Sequence, residues 1–420
     1  MVKFGVHQKQ EHVIDGGVRQ PHQIRYRWVM LMLVSLLYGA FGLVSRSLAP
    51  LVTPVLNDLN VSNSEMGLIL GSWPLTYIAV AATGGAVIDR WGIRRSLLVG
   101  IIIIGLSETL RYFANGFSTM FLSVALFGLG GPMISIGCPK TIAVWFKGKE
   151  RATAVGVYTA SSTVGRLVAL STTNSVLMPL TGYSWRLTFA SYGFFVLIIA
   201  LVWWLLARDV TPTEHRESAS ITRVFAGLIT IRNVQFILMI GFLSMVVSHG
   251  LGDWLPRILE TGGLPPVVAG FAASIPDLVG LPLALIGPRS VPSLLRGRVV
   301  ATMSVVGAVA LLIVATTSGV AQLSGLILLG TINWASGPLL MLVLMDMPEV
   351  GSKYMGSVGG MYFCVSEIGG FAGPFMMGAL VDTTGSFLIG VLTLAALRLT
   401  ISVMALLLST NPASGMEAGQ

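Results

Sequence analysis

The sequence predicts an all-α membrane protein in which twelve transmembrane helices form two six-helix bundles related by pseudo-symmetry. Three observations predict this fold class: an apolar composition, long apolar segments that recur at regular spacing, and an internal repeat. Hydrophobic residues make up 54% and charged residues 10% of the 420 residues, and the mean hydropathy is +0.81. A soluble protein of this length would need a higher density of charge to cover its surface.

The apolar segments recur at the spacing of bilayer-crossing helices of roughly 20 residues joined by short connections. We number these predicted segments spans 1 to 12. They cover residues 28–57, 62–86, 96–115, 119–146, 152–178, 184–207, 234–259, 266–287, 298–319, 322–345, 356–380 and 386–409. Because the longest polar connection follows span 6, the chain is predicted to divide there. The predicted parts are a cytoplasmic tail (1–27), an N-terminal bundle (28–207), a cytoplasmic linker (208–233), a C-terminal bundle (234–409) and a second cytoplasmic tail (410–420).

Basic residues identify the predicted cytoplasmic side, since they occur before span 1 and then in alternate connections. They are Arg25, Arg27, Arg90, Arg94, Arg95, Lys147, Lys149, Arg151, Arg208, Arg216, Arg223, Arg232, Arg289, Arg296, Arg298 and Lys353. Cytoplasmic loops carry an excess of lysine and arginine, so both termini are predicted to face the cytoplasm, and the membrane to be a plasma membrane or bacterial inner membrane. The net charge of +8 is therefore attributed to topology and to contact with lipid, and no nucleic-acid partner is expected.

An internal repeat relates the two halves of the chain. The segment GVYTASSTVGR (156–166) aligns with GMYFCVSEIGG (360–370) at a shift of 204 residues, and SWPL (72–75) aligns with SIPD (274–277) at a shift of 202. Span 5 thus corresponds to span 11, and span 2 to span 8. In transporters built from such parallel repeats, the binding site lies between the two halves near the middle of the membrane.

A charged segment separates spans 2 and 3. Residues 84–100 read GGAVIDRWGIRRSLLVG and contain the pattern GxxxDRxGxRR. Its residues are Gly85, Asp89, Arg90, Gly92, Arg94 and Arg95. The pattern resembles the signature loop of the major facilitator superfamily, which follows the second helix in that family. The resemblance implies a gating latch between the halves in one conformational state; alternatively, the arginines only anchor the helix ends. The corresponding segment after span 8, 287–298, contains no acid.

Longer segments are similar to two branches of this superfamily. Residues 46–73, 145–165 and 183–195 are similar to the organic-anion symporter branch, and residues 253–289 are more similar to the cyanate-permease-like branch. An arginine in the first helix is typical of both branches, and Arg46 occupies the matching position. The resemblance therefore implies an anion transporter that works by alternating access.

Ionisable residues within the spans are the candidate site residues, because burying them in a membrane is costly. Arg46 in span 1 is predicted to bind a carboxylate or another planar anion through two hydrogen bonds, or else to reach the membrane surface as an anchor. Its counterpart in the repeat is Ser248 or His249. His249 is predicted either to face Arg46 across a central cavity or to be a hydrogen-bonded packing residue. Asp253 also lies in span 7, without an assigned role.

Further charged residues lie near the middle of other spans. Arg166 in span 5 and Asp277 in span 8 are predicted to form a buried pair, which is either structural or part of the coupling of proton and substrate movement. Arg166 is also a candidate substrate-binding residue. Glu367 in span 11 is predicted to carry a proton, or else to stay protonated and bond a neighbouring helix. Lys140 in span 4 is expected to extend to the membrane surface, or else to line the inner vestibule and attract anions.

Span 10 is interrupted by two residues, Asn333 and Trp334, which are predicted to line the cavity. The sequence thus predicts a secondary active transporter that moves a small organic carboxylate or inorganic anion in symport with protons. An exporter of drugs or metabolites and a non-transporting membrane sensor are the alternatives. No nucleotide cofactor is predicted, because the glycine-rich segments lie in apolar spans and lack a following lysine-serine pair. No metal site is predicted, since four of the five histidines (His7, His12, His22 and His215) lie in a predicted tail or loop, and no enzyme is predicted, since no nucleophile–base arrangement is recognisable. We expect a monomer.

Overall fold

A computed structural model of the chain describes residues 21–209, 229–332, 336–347 and 350–408, and the regular structure in these ranges is helical. The α-helices of eight or more residues are α1 (Pro21–Arg46), α2 (Val52–Leu59), α3 (Asn63–Trp91), α4 (Ile93–Leu110), α5 (Phe117–Trp145), α6 (Gly148–Thr172), α7 (Trp185–Leu206), α8 (Arg232–Thr261), α9 (Pro266–Ser290), α10 (Arg296–Thr316), α11 (Gly319–Ile332), α12 (Ser336–Asp346), α13 (Gly351–Thr384) and α14 (Phe387–Leu407).

Ten helical segments of the described chain are long and apolar enough to cross a membrane. Two further helices, α3 with 29 residues and α6 with 25, have sufficient length but are not among the ten. Helix α6 contains seven serine and threonine residues and four charged residues, so its composition is less apolar than that of a helix surrounded by lipid. These two helices correspond to predicted spans 2 and 5, which belong to the repeat.

The outer surface of the helices carries large apolar side chains. Phe194, Ile286, Leu205 and Leu406 are each more than 60% exposed. A soluble monomer rarely exposes apolar patches on this scale, whereas lipid tails solvate them well. The surface thus agrees with the predicted membrane location.

The connection between α3 and α4 differs from the prediction. Spans 2 and 3 leave residues 87–95 as a connection, but α3 continues to Trp91 and α4 begins at Ile93. Asp89 and Arg90 therefore lie in the last turn of α3, and Gly92 alone makes the turn. Gly92 has a φ of 85°, a backbone conformation that side chains with a Cβ disfavour. Charged side chains in the last turn of a helix can extend to water while their backbone stays helical. Asp89 and Arg90 therefore do not require the non-helical connection that the sequence predicts.

Span 1 is also interrupted where the sequence predicts a continuous helix. Helix α1 ends at Arg46, residues Ala49–Leu51 form a short 3₁₀ turn, and α2 begins at Val52. Pro50 lacks an amide hydrogen and cannot donate the bond that a continuing helix would require. The backbone therefore changes direction directly after Arg46.

Short connections make consecutive long helices antiparallel, so their ends alternate between two sides of the molecule. We call the side where α3 ends the Asp89 end, and the side where α13 ends the Asp382 end. In the first half of the chain, α1 packs on α6, and α5 packs on both α3 and α4. In the second half, α8 packs on α13 and α10 on α14. Helices α3 and α6 also pack on α13 and α9, respectively, and so join the two halves.

The two halves approach most closely at the Asp382 end, through two glycines at positions related by the repeat. A Cβ built on Gly67 of α3 would lie 2.4 Å from the carbonyl oxygen of Pro374 of α13. A Cβ built on Gly270 of α9 would lie 2.5 Å from the carbonyl oxygen of Leu170 of α6. At the Asp89 end, a Cβ built on Gly85 would meet no atom of the described chain within 4 Å. The described structure is therefore closed at the Asp382 end.

Packing within the first half requires glycine where α1 crosses α6. A Cβ on Gly165 would lie 2.0 Å from the carbonyl oxygen of Gly39, and backbone atoms cannot give way as a side chain can. We expect Gly165→Ala to destabilise the protein by about 1–3 kcal/mol, the usual range for overpacking, and so to lower the thermal unfolding temperature in detergent. The control is Gly156→Ala in the same helix, whose Cβ would lie 3.7 Å from the flexible Leu285 side chain. Equal unfolding temperatures for the two variants would contradict this packing.

Candidate functional site

A charged cluster lies where α1 meets α8. Arg46 is the last residue of α1, and its Nη1 donates a hydrogen bond to Oδ1 of Asp253 on α8. One turn earlier on α8, Nδ1 of His249 lies 3.7 Å from the other carboxylate oxygen of Asp253. The three side chains are 13%, 3% and 11% exposed, respectively. Asp253, to which the sequence assigned no role, lies within 4 Å of both Arg46 and His249, and the predicted binding roles of these two residues stay predictions.

Gly252 leaves room for the Arg46 guanidinium, and an aromatic ring lies against His249. A Cβ built on Gly252 would lie 2.5 Å from Nη2 of Arg46, so a larger residue at 252 would displace the guanidinium. The Trp73 ring of α3 lies 5.4 Å from the His249 ring, centroid to centroid. A guanidinium has five N–H donors, and Asp253 engages one of them at Nη1. Arg46 therefore retains donors with which an anion can interact.

A second ion pair joins α6 to α9. Arg166 Nε donates to Oδ2 of Asp277 at 3.0 Å, and Arg166 Nη2 donates to Oδ1 at 3.2 Å. Nη2 also donates to Thr163 Oγ1 at 3.0 Å, and both charged side chains are 28% exposed. The geometry is bidentate, which is the strongest form of an arginine-carboxylate contact. The contact predicted between these two residues is thus present, while its role in coupling stays a prediction.

Glu367 lies on α13, close to its packing contact with α3. Its Oε2 is buried and has no hydrogen-bond partner among the described residues. A Cβ built on Gly370, one turn later, would lie 2.9 Å from this oxygen and 3.3 Å from the Cβ of Pro74 of α3. Its role as a proton carrier stays a prediction. Asn333 and Trp334, the other predicted cavity residues, lie outside the described residues.

In the described structure, the hydrogen bonds and ion pairs of Asp89 and Arg94, two predicted latch residues, stay within their own half. Asp89 forms an ion pair with Lys140 of α5, which the sequence analysis expected to extend to the membrane surface. Arg94 Nη2 donates to the backbone oxygen of Trp204 on α7 at 2.7 Å, and Arg90 and Arg95 are exposed. Toward this end the halves meet through side chains, as where Leu285 of α9 approaches Gly156 of α6, and a Cβ on Gly85 would meet no atom of the described chain within 4 Å.

An aspartate of the second half caps the first turn of α3. The Asp382 carboxylate on α13 accepts the backbone N–H of Asn63 at 3.0 Å and that of Ser64 at 2.7 Å. It also accepts bonds from Asn63 Nδ2 at 2.8 Å and from Ser64 Oγ. The next amide, that of Glu65, is bonded to the Ser62 hydroxyl at 3.1 Å. The first amides of a helix lack intrahelical partners and attract negative charge, so this cap stabilises the closed Asp382 end.

The sequence analysis did not identify Asp382 as a site residue. The residues that form the contact are 318 and 319 positions apart, and no local pattern links them. The sequence did offer one local signal. In the described chain the Ser62 hydroxyl accepts only the Glu65 amide, so the amides of Asn63 and Ser64, which begin the same helix, need acceptors from elsewhere.

Comparisons with known proteins agree with this architecture. The family model described as "Major Facilitator Superfamily" matches residues 34–374. The chain is 25% identical over 418 residues to the "Hexuronate transporter" of Bacillus subtilis (strain 168), with 93% of this chain and 96% of the relative covered. It is 27% identical over 405 residues to the "Probable L-galactonate transporter" of Escherichia coli (strain K12), with 89% and 87% covered.

The fold is similar to that of a solved transporter structure. The crystal structure of a bacterial homolog to the human lysosomal transporter Spinster, in an inward-facing and occupied conformation, aligns with a TM-score of 0.71 at 16% identity. The alignment covers 91% of this chain and 97% of that chain. The family match extends from α1 to α13 and agrees with the apolar helices, so this chain is an integral multi-pass membrane protein that belongs to the Major Facilitator Superfamily.

Proposed function

We propose that this protein moves a small organic anion carrying a carboxylate, such as a sugar acid, across the membrane by alternating access. The single observation that carries this proposal is the partly buried Arg46, which lies between the two halves and keeps free donors while bonded to Asp253. A fixed guanidinium suits a carboxylate, and holding a charge in this position is costly unless it has a function. The names of the two relatives, a hexuronate and a galactonate transporter, support the same substrate class.

The proposed architecture has twelve transmembrane helices in two bundles of six. The ten apolar segments, together with α3 and α6, would supply the twelve helices. Helices α1–α7 would form the first bundle, in which α2 continues the first transmembrane segment. Helices α8–α14 would form the second, in which α11 and α12 belong to one segment. Helix pairing within each half of the chain supports this division, as do the repeat-related glycines Gly67 and Gly270 between the halves.

The proposed orientation places the Asp89 end in the cytoplasm. Basic residues collect at this end, in agreement with the excess of lysine and arginine on cytoplasmic loops. With both termini cytoplasmic, the described structure would be closed on the outside and open to the cytoplasm. Asp382 and the two glycines then form the outer closure, and Asp89 with its neighbouring arginines would take part in the inner closure.

The Arg46–Asp253 pair suggests how an anion could change the conformation. The pair joins α1 of the first half to α8 of the second, so it favours the conformation in which these helices touch. A carboxylate bound to Arg46 would compete with Asp253 and weaken this contact. Because a ligand shifts a conformational equilibrium only through its different affinity for the two states, this competition is the physical link between binding and movement.

Proton coupling would act through the acidic residues at the same interfaces. Protonation of Asp277 would remove its charge and weaken the bidentate bond with Arg166 that joins α6 to α9. Glu367, which has a buried oxygen without a hydrogen-bond partner in the described chain, would supply a second proton site near the α3–α13 contact. Both residues would therefore link a proton to the separation of the halves.

The first experiment tests the cargo with wild-type protein and Arg46→Ala in proteoliposomes. Labelled glucuronate, L-galactonate and, as a neutral counterpart, glucose are offered with and without an inward proton gradient. We expect wild type to take up an acid but not glucose, and Arg46→Ala to lose roughly 10-fold to 100-fold in uptake, as expected for lost charge-assisted hydrogen bonds. The control, Arg186→Ala, removes an exposed pair with Asp58 and should transport normally. Normal uptake by Arg46→Ala would refute the proposed anion site.

The second experiment separates binding from proton coupling. If Asp277 and Glu367 carry protons, Asp277→Asn and Glu367→Gln should lose gradient-driven uptake but keep exchange of labelled for unlabelled anion, since exchange needs no net proton movement. A double variant that swaps the two charges, Arg166→Asp with Asp277→Arg, tests whether the ion pair is only structural. A purely structural pair predicts that this double variant regains gradient-driven uptake. Gradient-driven uptake by both single variants would rule out the proposed proton sites.

The third experiment tests the outer closure in a background lacking Cys138 and Cys364. Leu70 is 4% exposed and lines a cavity at the interface, so a cysteine there should react slowly with a membrane-impermeant maleimide. Asp382→Ala should speed this reaction by roughly tenfold, because several hydrogen bonds to a charged group are lost. The control is Asp346→Ala, which removes an ion pair with Arg296 at the other end. Unchanged labelling in Asp382→Ala would show that the cap does not hold the closed state.

A further inference from the structure

A third ion pair is enclosed within the first half of the chain. Arg111, in the turn that follows α4, lies 2.7 Å from Glu108 in the last turn of α4, through Nη1 and Oε1. The side chains are 1% and 0% exposed, which is less than for any other ion pair of the described chain. The sequence analysis gave these residues no role, since both fall near the end of span 3. The proposed transport cycle does not use them either.

Burial makes this pair expensive as a stabilising device. Removing two charges from solvent costs several kcal/mol per ion, and apolar side chains of similar size are often as stabilising. The Arg111 guanidinium lies over the Phe189 ring at 5.2 Å, which adds a favourable cation–π contact. Stability of the fold alone is therefore a weak reason for a charged pair at this position.

Both members of the pair bond to one serine. Arg111 Nη1 donates to Oγ of Ser47 at 2.9 Å, and Ser47 Oγ donates to Oε1 of Glu108 at 2.5 Å. The same hydroxyl lies 3.0 Å from the backbone oxygen of Val44 in the adjoining turn of α1, so the bonds to the pair are the ones that tie Ser47 to another part of the chain. The Ser47 side chain is fully buried, so its hydroxyl has no water with which to replace these bonds. The pair thus fixes the position of residue 47 from the side of α4.

Residue 47 is the point at which the backbone leaves helix α1. Arg46 is the last helical residue, and the following 3₁₀ turn starts at Ala49. Beyond a helix end, backbone angles are no longer set by the repeating hydrogen bonds, so side-chain contacts must define the direction of the chain. The contacts of Ser47 therefore help to determine where the neighbouring Arg46 points.

A cavity of about 10 Å³ lies between the two ion pairs, and both Arg111 and Asp253 line it. Ser45, on the other side of Arg46 in sequence, and Trp73, which contacts His249, line it too. The Glu108–Arg111 pair is thus next to the Arg46 site in space as well as in sequence.

We propose that Glu108 and Arg111 are positioning residues that hold Ser47 and thereby orient the Arg46 guanidinium for the anion. This inference rests on the proposed function. The pair does not touch the substrate; it acts through the hydroxyl of Ser47 and the backbone at the end of α1. Without the pair, the Arg46 guanidinium would still be present but would no longer be held in the orientation that suits the anion. Anion binding would therefore weaken more than the conformational change of the anion-bound transporter would slow.

The test compares Ser47→Ala with the double variant Glu108→Gln, Arg111→Met, in proteoliposomes, using whichever of glucuronate and L-galactonate wild type takes up. Removing both charges together avoids an unpaired buried charge that could prevent folding. We expect each variant to raise KM roughly tenfold, the effect of a lost hydrogen bond to a charged group, while the maximal rate changes less than twofold. Combining all three substitutions should raise KM no further, because the residues act as one unit.

Ser304→Ala is the matched control, since this serine is also buried but bonds only within its own helix, to Val300 at 2.8 Å. Its KM should equal that of wild type.

Two outcomes would overturn the positioning role. One is an unchanged KM in Ser47→Ala, and the other is a KM in the triple variant that rises by the product of the increases in Ser47→Ala and in the double variant. If wild type takes up neither acid, the proposed function itself fails, and that result is distinguishable because it appears before any substitution is made. Thermal unfolding of each variant identifies a loss caused by misfolding.

Discussion

Arg46 is positively charged and largely enclosed by helices, and much of the surrounding structure follows from the need to stabilise that charge. Asp253 supplies the counter-charge from α8, so the two halves of the chain must approach at this point. Gly252 leaves room for the guanidinium, and His249 packs between Asp253 and the Trp73 ring. A buried charge without its partner is strongly destabilising. The same requirement makes the contact sensitive to any competing anion, which is why we place the substrate there.

The contacts between the halves are unevenly distributed along the helices. At the Asp382 end, glycines allow backbone-to-backbone contact in both pseudo-equivalent helix pairs, and the carboxylate of Asp382 caps a helix of the opposite half. The glycine contact therefore occurs in both halves of the repeat, whereas the aspartate cap occurs in one half only of the described chain. At the Asp89 end, the charged residues bond within their own half. The interface is thus packed backbone to backbone at the Asp382 end and less tightly at the Asp89 end, an asymmetry that agrees with an alternating-access cycle.

Many of the features predicted from the sequence recur in the structure. Most of the apolar spans coincide with long helices, and the Arg166–Asp277 contact was predicted from the depth of two charges in spans 5 and 8. The family match confirms the resemblance that was inferred from the segment around Asp89. The errors concern local backbone: span 1 breaks after Arg46, and Gly92 alone forms what was predicted as a longer connection.

The sequence by itself determined that this chain is a helical membrane protein of this superfamily, because apolar segment length, charge placement and motif spacing are properties of the linear chain. Only the tertiary structure decided that Arg46 pairs with Asp253, that Asp382 caps α3, and that Glu108 and Arg111 share Ser47. The physical reason is that a membrane helix is apolar on most of its faces, so its sequence lacks the polar stripe that reveals which side packs inward. Its rotation, and hence its partners, are set by small residues and polar contacts on distant helices.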